Sequence, residues 1–161
     1  MQNKVLAIND ISCVGRCSLT VALPIISAAK IECSILPTAI LSTHTGGFSG
    51  FTFNDFTGEM NKIADHWKSL DIKFDSIYTG FLGSILQVEV VKKIVEMFKT
   101  ENNKLIVDPA MADNGEMYKI FSHEFAMEMK KLCIGADVII PNITEACFLS
   151  GVEYQKGPYS E

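Results

Sequence analysis

Arginine is almost missing from this chain. Arg16 is the only one, the 14 basic residues face 19 acidic ones, and no basic run occurs. A formal net charge of −5 leaves no electrostatic footprint for a phosphate backbone, which argues against nucleic acid as a partner. Long apolar runs are lacking too. A spanning helix needs roughly 18 or more apolar residues, and the stretch 21–29 is broken by Pro24, so no membrane partner is expected. Met-Gln-Asn-Lys leads directly into a strand-like run, which predicts no signal peptide and a soluble, acidic, cytoplasmic protein.

Paired cysteines are also absent as a pattern. Five thiols (Cys13, Cys17, Cys33, Cys133, Cys147) are an odd number in a chain without an export signal, so a disulfide framework is not expected. Cys13 and Cys17 invite a metal reading, but no CxxC pair exists and the position that would extend an iron–sulfur spacing is Thr20; reduced structural thiols are the better reading. Neither GxGxxG nor GxxxxGK[ST] occurs, which removes the two common sequence-marked nucleotide loops.

What is present suits a packed domain: 161 residues, 48% hydrophobic and 20% charged. That apolar share is too high for long disorder and ample for a core. Short β-rich runs alternate with runs of helical period. Strands are predicted at 4–9, within 31–41 (irregular or at an edge because of Pro37), at 75–79, 104–108 and 138–141. Helices are predicted from about 18 to 30, from Thr57 as cap along the face Met60, Ile63, Ala64, Trp67 and Leu70, and from Ser84 along Leu86, Val90, Ile94, Met97 and Phe98 to near 102–103. Two more follow, marked by Phe121, Phe125, Met129 and Leu132, and by 144–150 stopped at Gly151. Residues 42–55, rich in Gly, Thr, Ser and Phe, read as a long functional loop. The tail 155–161 looks like the approach to another helix. Five alternations of this kind predict an α/β fold: a mostly parallel sheet with helices on both faces.

In open parallel sheets, ligands bind beyond the carboxyl ends of the strands. The residues there are Asn9, Asp10, Ser12 and Gly15; Ser42 to Gly47; Tyr78, Thr79, Gly80 and Gly83; Asp108, Asp113 and Asn114; and Asn142, Thr144 and Glu145. Hydroxyls and His44 gather on the early strands, carboxylates and an asparagine on the later ones. A small polar substrate on one side and an anion–metal site on the other would suit that division. Structural readings stand beside these. Asp108-Pro109 is also a strand-ending turn, and Asn142 with Glu145 is also a helix cap. A lone histidine such as His44 is more often structural than catalytic, and His66 and His123 read as solvated.

Five segments in order carry a resemblance: Ile11-Ser12-Cys13-Val14-Gly15-Arg16, Ser42-Thr43-His44-Thr45-Gly46-Gly47, Tyr78-Thr79-Gly80-Phe81-Leu82-Gly83-Ser84, Val107-Asp108-Pro109-Ala110-Met111-Ala112-Asp113 and Pro141-Asn142-Ile143-Thr144-Glu145. Together they resemble the pyridoxal kinase branch of the ribokinase-like superfamily, from near residue 4 to Gly151. The resemblance implies transfer of the ATP γ-phosphate to the 5′-hydroxymethyl group of pyridoxal, pyridoxamine or pyridoxine, with ATP and Mg2+ as cofactors and a homodimer as the intact enzyme. It implies ring or substrate contacts at Ser12, His44, Thr45 and Phe81, and a phosphate end at Asp108, Asp113, Asn142 and Glu145. Asp108 and Glu145 would organise magnesium through water, as that hard cation prefers. Phosphoryl transfer of this kind is mostly positioning and charge neutralisation.

The chain departs from the family pattern in three places. Ala110 and Ala112 stand where Val and Gly are usual, so the loop is expected to differ locally, since alanine resists positive φ. Phe81 replaces a frequent tyrosine. The Gly-Thr-Gly-Asp run that carries the family's catalytic base is not in these 161 residues. The expectation is therefore an N-terminal part of one ribokinase-like kinase domain, incomplete at the C-terminus, with 42–55 a substrate-side loop, and with negligible activity for the 161 residues alone. Two rivals remain. One is a hydroxymethylpyrimidine or sugar kinase of the same superfamily; the Ser12 segment and the Ser-Thr-His-Thr-Gly-Gly loop favour the vitamer. The other is a non-catalytic vitamer-binding or interaction module, whose uncovered apolar sheet edge would favour self-association.

Overall fold

Aliphatic residues start the first strand at Lys4, but it runs on through polar residues to Ser12, because Asn9, Asp10 and Ser12 are buried between neighbouring strands. The computed structural model describes residues 3–157. In chain order its elements are β1 (Lys4–Ser12), α1 (Leu19–Ala28), β2 (Glu32–Leu41), β3 (Phe53–Asp55), α2 (Thr57–Ser69), β4 (Ser76–Thr79), α3 (Ile85–Phe98), β5 (Lys104–Val107), β6 (Ala112–Asp113), β7 (Glu116–Met117), α4 (His123–Ile134), β8 (Val138–Ile139) and α5 (Ile143–Ser150). Residues 158–161 of the tail, read above as the approach to a helix, lie outside the described residues.

Six strands form one sheet in the order β3-β2-β1-β4-β5-β8, parallel except for β3, which runs antiparallel to β2. From β1 the chain first steps outward to β2, then crosses back and continues through β4, β5 and β8 on the other side. Right-handed crossovers then put α1 on one face and α2, α3 and α4 on the other. The main apolar cluster agrees: Leu6, Ile8, Ile77, Leu105 and Val107 of the sheet pack with Met60, Val91, Ile94, Phe125 and Met129 of α2, α3 and α4. The order of strands reverses between β1 and β4, and a crevice at that point is where such sheets take ligands.

Several local expectations are corrected. Residues 53–55 are not loop but the edge strand β3, pairing Phe53 with Leu41 and Asp55 with Ala39. Pro37 lies opposite Asn9, where the β1–β2 register shifts, so its missing N–H falls at an irregular point of the ladder. Phe56, not Thr57, occupies the N-cap of α2, and the Thr57 N–H donates to Asp55 Oδ1 at 2.6 Å. Leu70 and Leu86 are exposed, and the buried stripe of α3 instead runs Gln87, Val90, Val91, Ile94 and Phe98. Ser84 does cap α3, accepting the Gln87 N–H at 3.2 Å.

The loop after β5 is a hairpin. β6 and β7 pair Ala112 with Met117 and Asp113 with Glu116, across Asn114-Gly115 at φ 53° and 85°. A two-residue Asn-Gly turn takes positive φ at both positions to match strand twist. Ala112 is in the strand and outside the positive-φ residues, so the alanine there causes no strain.

At the far edge, Val138 and Ile139 of β8 and Ile140 just after it are exposed. Among the described residues, no helix is long and apolar enough to cross a membrane.

Candidate functional site

The parallel strands bring the predicted residues to one edge of the sheet, in two groups. The first group lies at the carboxyl ends of β1, β2 and β4, where the strand order reverses between β1 and β4. Ser12 ends β1 almost fully buried, and its hydroxyl donates to Asp10 Oδ2 at 3.0 Å. His44 and Thr45 are exposed on the loop beyond β2. That loop is latched to the one after β1: the His44 N–H donates to the Val14 carbonyl at 2.7 Å, and the Cys13 N–H to the Leu41 carbonyl at 2.8 Å. His44 Nδ1 accepts the Gly46 N–H at 3.2 Å, so a neutral ring carries its proton on Nε2.

Phe81 follows β4 and is held by its backbone on both sides. Its N–H donates to Asn9 Oδ1 at 2.9 Å, and its carbonyl accepts the Thr38 hydroxyl at 3.0 Å. Gln87, fully buried, secures the same turn by accepting the Gly83 N–H at 2.8 Å and donating to the Thr38 carbonyl at 2.8 Å. Gly80 is required beside it, because a Cβ there would lie 2.1 Å from Asn9 Nδ2. The Phe81 ring tilts against Phe121 at 5.7 Å between centroids, and Phe121 stacks on Phe125 at 3.9 Å.

The second group lies beyond β5 and β8. Asn142 and Glu145 form a capping box at the start of α5: the Glu145 N–H donates to Asn142 Oδ1 at 2.9 Å, and the Asn142 N–H to Glu145 Oε2 at 2.9 Å. Glu145 also reaches the Asp108 loop. Its Oε1 accepts the Met111 N–H at 3.0 Å and the Ala112 N–H at 3.5 Å, while Asn142 Nδ2 donates to the Ala112 carbonyl at 2.8 Å. The helix-cap reading of these residues is therefore correct. Asp113 is exposed and engages the Asn114 N–H and side chain in its own turn.

Asp108 and Glu145 are two poorly hydrated carboxylates, and the charge of Glu145 acts on Asp108. Burial first, then the Glu145 charge, pushes the Asp108 carboxyl up to about 6, against a hydrogen bond from Tyr78 that lowers it. Burial also raises Glu145, opposed by the N–H groups of Asn142, Met111 and Ala112. Tyr78 donates its hydroxyl to Asp108 Oδ2 at 3.4 Å and is pushed up to about 12 by burial and that carboxylate. Tyr118 is raised by burial and by Glu145, Asp113 and Asp108. An electronegative pair of this kind, with lone pairs left on both side chains, suits a hard cation. Among the described residues no cluster of three or more His, Cys, Asp or Glu side chains could hold a metal, so a cation here would keep much of its water.

Residue patterns placed Asn9, Asp10 and Tyr78 at the strand ends without giving any of them a role of its own, and marked Phe121 only as part of a helix. The Asn-Gly pair was a hairpin signal that could have been read. A pocket of about 340 Å³ lined by Lys68, Asp75, Phe98 and Asn103 lies at the amino ends of β4 and β5, away from these groups.

Comparison with known proteins agrees with this fold. A Bacteroides thetaiotaomicron structure described as a phosphomethylpyrimidine kinase, with pyridoxal, superposes with a TM-score of 0.93 at 42% identity, over 99% of this chain and 55% of that one. Pyridoxal kinase from Lactobacillus plantarum superposes with a TM-score of 0.90 at 33% identity, over 99% of this chain and 56% of that one. Pyridoxal kinase of Dictyostelium discoideum is 30% identical over 165 residues, 95% of this chain and 52% of that protein. The chain thus spans about half the length of these relatives. The sequence profile of the phosphomethylpyrimidine kinase family matches residues 25–158, and the chain belongs to that family.

Proposed function

We propose that the intact protein transfers the γ-phosphoryl group of ATP to the 5′-hydroxymethyl group of a vitamin B6 vitamer, pyridoxal, pyridoxamine or pyridoxine, in the cytoplasm. The observation that carries this reading is the 42% identity and 0.93 TM-score to a structure holding pyridoxal, over nearly all of this chain. Ser12, His44, Thr45 and Phe81 bind and orient the ring at the crevice between β1 and β4. Asp108, Asp113, Asn142 and Glu145 serve the phosphate end, where α5 presents its N-terminus to anionic groups. Asp108 and Glu145 would hold magnesium through water; when bound, the cation neutralises charge on the phosphate oxygens.

What these residues contribute is placement. The clamped Phe81 turn fixes the acceptor ring, and the Glu145–Met111 contact fixes the loop that carries Asp108. No Gly-Thr-Gly-Asp run occurs in these 161 residues, and the base is no part of this proposal. A homodimer belongs to the same proposal and rests on the family resemblance.

The matching family profile favours a second reading, hydroxymethylpyrimidine as acceptor. A coupled ADP-release assay of the full-length protein with the three vitamers and hydroxymethylpyrimidine separates them. Vitamer turnover is expected to dominate; faster turnover of the pyrimidine transfers the assignment, and no ADP release with any acceptor ends both readings.

A further inference from the structure

The crevice holds a buried carboxylate that the phosphoryl-transfer reading does not use. Asp10 is 4% exposed and Ser12 is 1% exposed, next to the point where strand order reverses. Asp10 Oδ2 accepts the Ser12 hydroxyl at 3.0 Å. Among the described residues, Asp10 has no ion pair and its Oδ1 accepts no hydrogen bond. A carboxylate this far from bulk water is costly unless donors or a positive charge meet it. Yet Oδ1 is not among the fully enclosed polar atoms left without a partner, which are Thr43 Oγ1 and Thr79 Oγ1. The unused oxygen is therefore not sealed from solvent, on the strand that flanks the reversal of strand order.

The direction of the Ser12–Asp10 bond matters chemically. A hydroxyl has one proton, and Ser12 gives its proton to Asp10. Toward a ligand, Ser12 then presents lone pairs alone. The pair can receive an N–H, and it has nothing to donate to a bare ring nitrogen.

We infer that Asp10, through Ser12, selects an acceptor ring protonated at its nitrogen, so that the vitamer binds as a pyridinium. This rests on the vitamin B6 reading above and deepens it: Asp10 is a specificity-determining residue, and the preferred substrate is a cationic heteroaromatic alcohol. A charge-assisted hydrogen bond is about twice as strong as a neutral one, so the pair discriminates between rings of equal size.

The test uses full-length protein and pyridoxamine labelled with 15N in the ring. The bound wild-type complex, without ATP, is expected to show the chemical shift of a protonated ring nitrogen. Asp10→Asn is expected to raise the KM for pyridoxamine about tenfold, the loss of one charge-assisted hydrogen bond, with the KM for ATP unchanged. A carbocyclic analogue lacking the ring nitrogen should bind wild type and Asp10→Asn alike. An unprotonated nitrogen in the wild-type complex overturns the inference even if the variant fails to fold. An equal loss for the carbocyclic analogue overturns it as well, by showing a general packing effect. In both cases vitamer turnover by wild type leaves the kinase reading standing; absence of vitamer binding and turnover removes both.

Discussion

Glu145 closes a contact with Met111 across 34 positions of sequence, its Oε1 accepting the Met111 N–H at 3.0 Å while Oε2 accepts the Asn142 N–H at 2.9 Å. One side chain thus caps α5 and shapes the loop behind Asp108. Glu145→Ala leaves both N–H groups without a partner, and each buried orphan costs about 1–3 kcal/mol. The expected loss is about 2–4 kcal/mol in urea unfolding, with Glu145→Gln losing less because its Oε1 can still accept. An unchanged midpoint for Glu145→Ala would show that the contact contributes nothing.

Asp108 yields a prediction about pH. Its carboxyl titrates near 6 in the folded protein, whereas an unfolded aspartate titrates near about 3.9. Between those values the folded chain keeps a proton that the unfolded chain has released. Stability from this group therefore falls as pH rises through that window and stays lower above it. Asp108→Asn is expected to melt higher than wild type at about pH 7.5 and to lose that advantage near about pH 3.5. Thermal melts at the two pH values check it.

The same carboxylate pair predicts a cation effect on stability. Magnesium that binds only the folded state raises its melting temperature by mass action. The rise is expected for wild type above the Asp108 titration and is expected to shrink in Asp108→Asn. Calorimetry with and without magnesium, with calcium as comparison, reads it directly.

Thr38 holds the Phe81 carbonyl at 3.0 Å. Thr38→Val is close in shape but leaves that carbonyl unpaired, at about 1–2 kcal/mol. Thr38→Ser should restore most of the loss. In the full-length enzyme Thr38→Val is expected to raise the KM for the aromatic acceptor and leave that for ATP alone. In a Phe81→Ala background the same change should add nothing to the acceptor KM, because that effect passes through the ring. The stability loss persists there, because the backbone carbonyl remains.

Gly115 sits at φ 85°, and a Cβ there would lie 2.6 Å from the Tyr154 ring. Gly115→Ala is expected to cost about 1–2 kcal/mol and loosen the β6–β7 hairpin, seen as faster amide exchange at Tyr118, whose N–H donates to the Met111 carbonyl. Unchanged exchange would show that the turn does not depend on this glycine.

The α/β alternation was legible because aliphatic runs and helical periods are local. So were the Ser84 cap, Asn142 as a possible helix cap, and the ordering of site segments along the chain. The phase of α3 was not legible at its start. Leu86 was placed on the core stripe and Gln87 was not, yet Gln87 is buried because Thr38, Thr57 and Gly83 meet its amide. Thr57 was mistaken for a cap for a related reason: its hydroxyl accepts from Gln87, 30 residues away. Those partners come from three other segments, and no window of sequence contains them.

By itself, then, the sequence determined which chemistry reaches the carboxyl ends of the strands: Ser12, Asp108, Asn142 and Glu145 follow apolar runs and ride on strand direction. Tertiary structure alone decided how those groups meet. The strand order placed Asn9 beside the turn after β4, and α5 against the loop after β5. Only that assembly gives Asp108 its raised pKa, Phe81 its clamp and Asp10 its buried, half-satisfied carboxylate. Such properties depend on distance and exclusion of water between residues far apart in the chain.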